Sequence, residues 1–345
     1  MTRGRLIEVL GALPEARVGV IGDFCLDAYW LLDAGSPELS LETGKPTRAA
    51  REQRYSLGGA GNVVSNLAAL GLRTLCGFSV INDDLFGREI LSQLKERNVD
   101  TFGMIIQTRA WDTPVYAKPY VGDEEQERLD FGRWNRLASE TGAKLTGALR
   151  SIVPRLDAVI VNQQLTRGIY SREVIRSINA IAADHPAVLF ILDARNMSDR
   201  FPGMLLKVNA REAARICASP DTGARDPSPE DLRGYARRIA GMNGRVVFIT
   251  RSEAGILLSD GRTEEELPAV RVEGPTDPVG AGDTTVSAIA AALATGATPR
   301  EAGELANLAA AVTVAKLRQT GTATPAEILA TADRYSPTER TEQRT

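Results

Sequence analysis

Short β-branched runs alternate along this chain with stretches whose apolar positions recur every three or four residues, the pattern that builds βαβ units around a parallel sheet. The runs predict strands over 17–22, 74–80, 158–161, 188–193, 205–208, 246–250 and 255–258. The helical period predicts helices over 62–70, closed by Gly71, and over 84–97, 171–183, 229–240 and 302–317. The last is announced by Thr298-Pro299-Arg300-Glu301, a capping box with proline at the first helical position, where its missing N–H is not needed. Two segments break the alternation. Residues 31–57 are polar with little period, and 113–131 read as two strands joined by Gly122-Asp123-Glu124-Glu125, so together they predict a small β lid. The fold class is α/β: a doubly wound, mainly parallel sheet with helices on both faces, spanning 14–330 and covered by the lid. Residues 331–345 are polar and charged and are expected to be a disordered tail.

On this map Asp23, Asn162, Asp193, Asn209 and Arg251 all fall at or just beyond the carboxyl end of a predicted strand. That edge is where open parallel sheets bind ligands. Charge narrows the partners. The 41 basic and 44 acidic residues are well mixed and leave a net charge of −3, which gives no surface for nucleic acid or membrane. Cys25, Cys76 and Cys217 are far apart and lack Cys-x-x-Cys spacing, as expected for reduced thiols in a cytoplasmic protein. No apolar run approaches the ~18 residues of a membrane span. The one histidine, His185, sits in a helix-to-strand connection, which disfavours a Ser-His-Asp triad or a histidine metal site.

The chemistry concentrates in Asp277-Pro278-Val279-Gly280-Ala281-Gly282-Asp283-Thr284, which runs into the small-residue segment 285–292. Gly280, Ala281 and Gly282 let successive backbone N–H groups point into one concavity, and a following helix adds the positive end of its dipole. Phosphate is the natural guest. Asp283 is a carboxylate on the lip of that cradle, placed to take a proton from an attacking hydroxyl while the N–H groups hold the transferring phosphoryl. Neither a Walker-type phosphate loop nor a protein-kinase His-Arg-Asp loop is present.

This segment resembles the C-terminal signature of the ribokinase-like (PfkB-type) carbohydrate kinases, and Gly58-Gly59-Ala60-Gly61-Asn62 resembles their N-terminal glycine signature. The resemblance runs from about Arg17 to Leu329. The segments 22–30, 36–38, 128–131 and 250–253 are similar to those of bacterial heptose-7-phosphate kinases. The resemblance implies a kinase that transfers the γ-phosphoryl group of ATP, with Mg2+, to a hydroxyl of a sugar or phosphosugar. Asp283 would be the base. Asp27, Gly58, Gly59 and Asn62 would meet the sugar. Asn209 and Glu212 match an Asn-x-x-Glu motif that positions magnesium through water, although Asn with Glu three residues on is also a helix cap. Thr250, Ser252 and Gly255 fall where relatives hold the nucleotide, and Asn307 falls near the adenine. Asp277 with the loop 321–324 matches a site for a monovalent cation such as K+. A homodimer through the lid is implied as well.

Two departures bear on the acceptor. Heptose kinases carry Asp-Tyr-x-Lys-Gly where this chain has Gln163-Gln164-Leu165-Thr166-Arg167-Gly168, and Asp-Pro-Lys where it has Asp193-Ala194-Arg195. Arg167 and Arg195 keep the charge but offer a flat fork suited to bidentate contact with phosphate or carboxylate, so a sugar bearing an anionic group is the expected acceptor. A non-catalytic sugar- or nucleotide-binding regulator on the same fold is the alternative. A dinucleotide oxidoreductase is disfavoured because no Gly-x-Gly-x-x-Gly follows the first strand.

Overall fold

The computed structural model describes residues 1–35, 38–217, 226–317 and 320–335. Ser36 and Pro37 of the resembling segment, and the expected tail beyond Tyr335, lie outside the described residues.

The first half of the chain alternates helices α1 (Arg3–Ala12), α2 (Ala60–Ala69), α3 (Leu85–Glu96) and α4 (Ser139–Ile152) with strands. Those strands are β1 (Arg17–Gly22), β2 (Phe24–Leu32), β3 (Ala50–Gly59), β4 (Thr74–Ile81), β5 (Asp100–Ile106), β6 (Val115–Val121), β7 (Glu124–Glu125) and β8 (Leu129–Phe131). The second half contributes β9 (Ala158–Gln163), α5 (Arg172–Asp184), β10 (Leu189–Ala194), β11 (Leu205–Asn209), α6 (Ala210–Cys217), α7 (Pro229–Asn243) and β12 (Val247–Thr250). It closes with β13 (Ile256–Ser259), β14 (Glu264–Leu267), α8 (Ala281–Ala294), α9 (Pro299–Val314) and α10 (Pro325–Tyr335).

Nine strands form one sheet in the order β14-β13-β12-β11-β10-β9-β1-β4-β5, parallel throughout except where β13 runs against β12 and β14. Side chains alternate across each strand, and the two faces bury separate cores. Val18, Val20, Ile160, Ile191 and Phe248 pack against α1, α2, α3, α8 and α9, while Ile21, Val159, Val161, Leu192 and Ile249 pack against α4, α5, α6 and α7. Emptying such a position, as in Phe248→Ala, costs about 3–5 kcal/mol. Helix ends follow their caps: Asp84 accepts from Gly87 N–H, and Ser228 and Thr298 form reciprocal capping boxes with Asp231 and Glu301.

The second sheet is the lid, in the order β3-β2-β6-β7 with β8 paired to β6. Leu26, Ala28, Leu57, Val115 and Ala117 on one of its faces are buried in the core shared with α2 and α3. The alternate positions Asp27, Tyr29, Tyr116 and Lys118 form its polar face. The lid starts earlier than its expected bound of residue 31. Only Asp23 separates β1 from β2, because 24–32 is a mostly β-favouring run without Gly or Pro, and Asp27 falls on its polar face. At the other end β3 runs straight into α2, so Gly58 and Gly59 lie in a strand rather than in a flexible turn. The ordered unit also extends past its expected bounds of 14 and 330. Leu6, Val9 and Leu10 of α1 join the core, and α10 continues through residues 331–335. Among the described residues no helix is long and apolar enough to cross a membrane.

Candidate functional site

The register of the parallel strands brings the polar strand ends together. Gly22 lies beside Asn162 and Asn162 beside Asp193, and by alternation Asn162, Asp193 and Lys207 point to the face that carries α8. Asn162 is wholly buried, and neither polar atom of its amide has a hydrogen-bond partner. Lys207 is 5% exposed and pairs with Asp193 at 3.1 Å. Burial pulls the ammonium's pKa down, but Asp193, Glu212 and Asp283 pull it up by more, so it is held charged.

The cradle is the start of α8. Gly280 adopts φ 80° as the N-cap, a left-handed conformation that a side chain would strain. One of the three expected cradle donors is already engaged. The turn folds Ala281 N–H back onto Pro278 O at 3.2 Å. Among the described residues no acceptor takes the N–H of Gly280, Gly282 or Asp283, so the unpaired donors expected of a helix N-terminus stand there. A Cβ on Gly282 would lie 3.0 Å from Lys207 Nζ, so the ammonium borders the same concavity.

Asp283 sits in the first turn of α8 and receives Asn62 Nδ2–H at 2.6 Å. Burial, then repulsion from Asp193, pushes its carboxyl pKa up to about 6, against the opposing pull of Asn62, Lys207 and Arg195. Asn62, expected at the sugar, thus has the NH2 of its amide on the carboxylate.

Beyond the cradle a cavity of about 860 Å³ gathers Arg195, Asn209, Glu212, Thr250, Arg251 and Ser252. Asn209 and Glu212 cap one another: Asn209 N–H donates to Glu212 Oε2 at 2.8 Å, and Glu212 N–H donates to Asn209 Oδ1 at 2.9 Å. Burial raises the pKa of Glu212. Ser252 is held at φ 52°, a backbone state that β-carbon residues seldom adopt and that clusters at functional sites. Gly255 follows at the start of β13. Asn307 is buried on α9 with its amide bonded to Leu267 O and Pro268 O, so it fixes the backbone after β14. Asp277 Oδ1 accepts Val279 N–H at 3.0 Å in the turn before the cradle. In the neighbouring loop, Lys316 Nζ donates to Thr322 O at 2.7 Å and pairs with Glu327 at 2.6 Å.

The polar face of the lid reaches this edge. Asp27 pairs with Lys118 at 2.9 Å, and a Cβ on Gly58 would lie 3.1 Å from Asp27 Oδ2. The charge of Arg195 is felt at Tyr116, and that of Asp277 at Tyr120. Asp23, at the hinge, accepts the N–H groups of Gln164, Leu165 and Ile169 at 2.9, 2.8 and 3.1 Å, which pins the loop that carries Arg167. Burial still pushes its pKa up to about 6. Arg167 is exposed and lies over the ring of Trp134 at 5.4 Å, and Trp134 is itself 80% exposed.

Comparison with known proteins decides the family. The profile of the pfkB family carbohydrate kinases matches residues 20–327. The chain belongs to that family. Among curated relatives, the bifunctional protein HldE of Caulobacter sp. (strain K31) is 34% identical over 321 residues, and that of Rhodospirillum rubrum is 33% identical over 317. The alignments cover 90% of this chain but only 62% and 61% of those proteins, so the pfkB-family chain spans about three fifths of the curated relatives' length. Two solved structures share the fold. Ribokinase of Arabidopsis thaliana complexed with ribose and ATP aligns with TM-score 0.72 at 17% identity, over 92% of this chain and 98% of that one. Phosphofructokinase-2 of Escherichia coli in complex with potassium aligns with TM-score 0.75 at 16% identity, over 93% and 99%.

Three members of this pfkB-family site were not found from sequence. Lys207 lies mid-strand in Leu-Leu-Lys-Val-Asn, and a charge flanked by apolar strand residues was the available signal. Lys118 is one lid residue among many polar ones. Trp134 lies in a loop outside any period.

Proposed function

We propose that the chain is an ATP-dependent kinase that phosphorylates a hydroxyl of a phosphosugar, with a heptose phosphate as the first candidate acceptor. The observation that carries this reading is Asp283, a half-buried carboxylate at the N-terminus of α8 beside unpaired N–H groups and the Lys207 ammonium. Asp283 would take the proton of the attacking hydroxyl. The N–H groups of Gly282 and Asp283, with Lys207, would meet charge on the moving phosphoryl. Arg195, Thr250 and Ser252 line the cavity that would hold the nucleotide's phosphates, so Arg195 would serve the nucleotide rather than the acceptor.

Magnesium suits this cavity, because Glu212 is a partly buried carboxylate that lines it and engages Asn209 N–H through one oxygen, Oε2. When bound through waters of Glu212, the ion supplies positive charge at the phosphates. A monovalent ion at Asp277 and 321–324 would have to share Thr322 O with the Lys316 ammonium, so it is given no step.

On the acceptor side, Asp27 with Lys118 would bind hydroxyls. Arg167 on Trp134 would meet the anionic group. Exposed Leu39, Leu41 and Phe131 on and beside the lid support the lid as a dimer surface. The experiment is acceptor-dependent ADP release with Mg-ATP across neutral and phosphorylated sugars. A higher kcat/KM for phosphosugars is expected. ATP binding without any turnover would leave the non-catalytic alternative.

A further inference from the structure

Behind the candidate base stand two buried side chains that the proposed reaction does not touch, Thr284 on α8 and Asn66 on α2. Thr284 Oγ1 lies 2.8 Å from Asn66 Oδ1 and 3.2 Å from Gly280 O. A hydroxyl carries one proton, and the shorter contact takes it. With its oxygen so engaged, Asn66 must present its NH2 group to Asn62, where Nδ2 lies 2.9 Å from the backbone oxygen and 3.4 Å from Oδ1. That in turn holds the Asn62 oxygen inward and aims its NH2 group at Asp283 Oδ2, 2.6 Å away. Each amide has a single orientation that satisfies its neighbours. Among the described residues no donor engages Asp283 Oδ1.

We propose that Thr284 and Asn66 are positioning residues that orient the Asn62 amide, so that Asp283 is held by Oδ2 and turns Oδ1 to the acceptor hydroxyl. This rests on the kinase reading above. A packing role alone would need only the volume of these side chains. Directed hydrogen bonds make a further demand, because the Asn62 donation opposes the burial that raises the proton affinity of Asp283. The other groups that act on Asp283 are Asp193 of β10, Arg195 just after it, Lys207 of β11 and the Cys25 thiol of β2, and none belongs to the chain of amides.

The test is Thr284→Val, with Thr284→Ser as the conservative partner, measured in the full chain by kcat, KM, pH profile and melting temperature. Valine should lower kcat about tenfold, the scale of one hydrogen bond to a charged group, with KM for Mg-ATP unchanged. It should also move the acid limb of kcat to higher pH, since a carboxylate without its donor holds a proton more tightly. Serine should restore both. If valine prevents folding, Thr284→Ala carries the same expectation. A variant that changes only the melting temperature overturns the proposal. Titration of the Asp283 carboxyl by 13C NMR reads the same shift without turnover. An absence of sugar phosphorylation by the wild-type protein would defeat the kinase reading, whereas an unmoved Asp283 titration in Thr284→Val would defeat the positioning role.

Discussion

Lys207 and Gly282 share a boundary. The ammonium of a sheet residue stands 3.0 Å from the place where a side chain on the helix residue would begin, so the glycine of the cradle leaves room for a buried cation as well as for an anion. The cation is in turn held by Asp193.

Lys207→Met should therefore act on two observables. Removing one member of a buried pair leaves Asp193 uncompensated, at a cost of about 3–5 kcal/mol of stability. Adding Asp193→Asn should return most of the melting temperature but not the turnover. Recovery of turnover in the double variant would show that Lys207 only neutralises Asp193.

Asp283→Asn should keep the fold and ATP binding while lowering kcat by about 10²-fold or more, the scale of a lost general base. In the wild type, with the carboxyl pushed up to about 6, kcat should fall as pH drops through that value because the protonated form cannot accept the hydroxyl proton. A flat kcat between pH 5 and pH 7, on the order of one unit either side, would exclude Asp283 as the titrating base.

A glutamine in place of Glu212 can still accept Asn209 N–H and so keep the helix cap, whereas an alanine cannot. Glu212→Gln should raise the magnesium concentration needed for half-maximal rate with little change in melting temperature. Glu212→Ala should additionally cost about 1 kcal/mol of stability. Equal magnesium curves for Glu212→Gln and the wild type would assign Glu212 to the cap alone.

The two arginines should separate kinetically. Arg195→Ala should raise KM for ATP, because Arg195 lines the cavity with Asn209 and Thr250. Arg167→Ala should instead raise KM for a phosphorylated acceptor. If both variants changed the same KM, the division of the site would be wrong.

Asp23 has a folded pKa of about 6 against an ordinary 3.8, so between those values the native state binds a proton that the unfolded chain does not. Its contribution to stability is fully present below about pH 4 and is lost as pH rises through about 6. Asp23→Asn should flatten that part of the stability curve and increase hydrogen exchange either at Ile169 or at Gln164 and Leu165, because these use different carboxylate oxygens and asparagine keeps only one acceptor oxygen. Unchanged exchange there would show that the loop does not depend on Asp23.

The sheet and the cradle were legible in the sequence because local rules govern them. Strands buried on both faces read as apolar runs, and Thr298-Pro299-Arg300-Glu301 and the glycines around Ala281 are short-range signals. What escaped depends on contacts between distant residues. Strand β14 is Glu-Glu-Glu-Leu and carries no apolar alternation, yet it pairs with β13 through backbone groups alone. The amide of Asn62 points to a residue 221 positions away, which no local pattern announces. That Arg195, just after β10, lines one cavity with Asn209 and Glu212 likewise depends on how separate βα units come together.

The single-residue gap at Asp23 has a consequence for modularity. The chain leaves the large sheet at Asp23 and comes back beside it at Ala60, where α2 begins, and these two residues are bonded to each other, Ala60 N–H to Asp23 O at 3.1 Å. Residues 24–59 therefore form a cassette whose entry and exit coincide. Its far end, between β2 and β3, can lengthen or shorten without shifting a single strand beneath. The excursion that carries Asp27 can thus be exchanged as a unit, while Lys118 of β6 reaches the same polar face from a separate excursion.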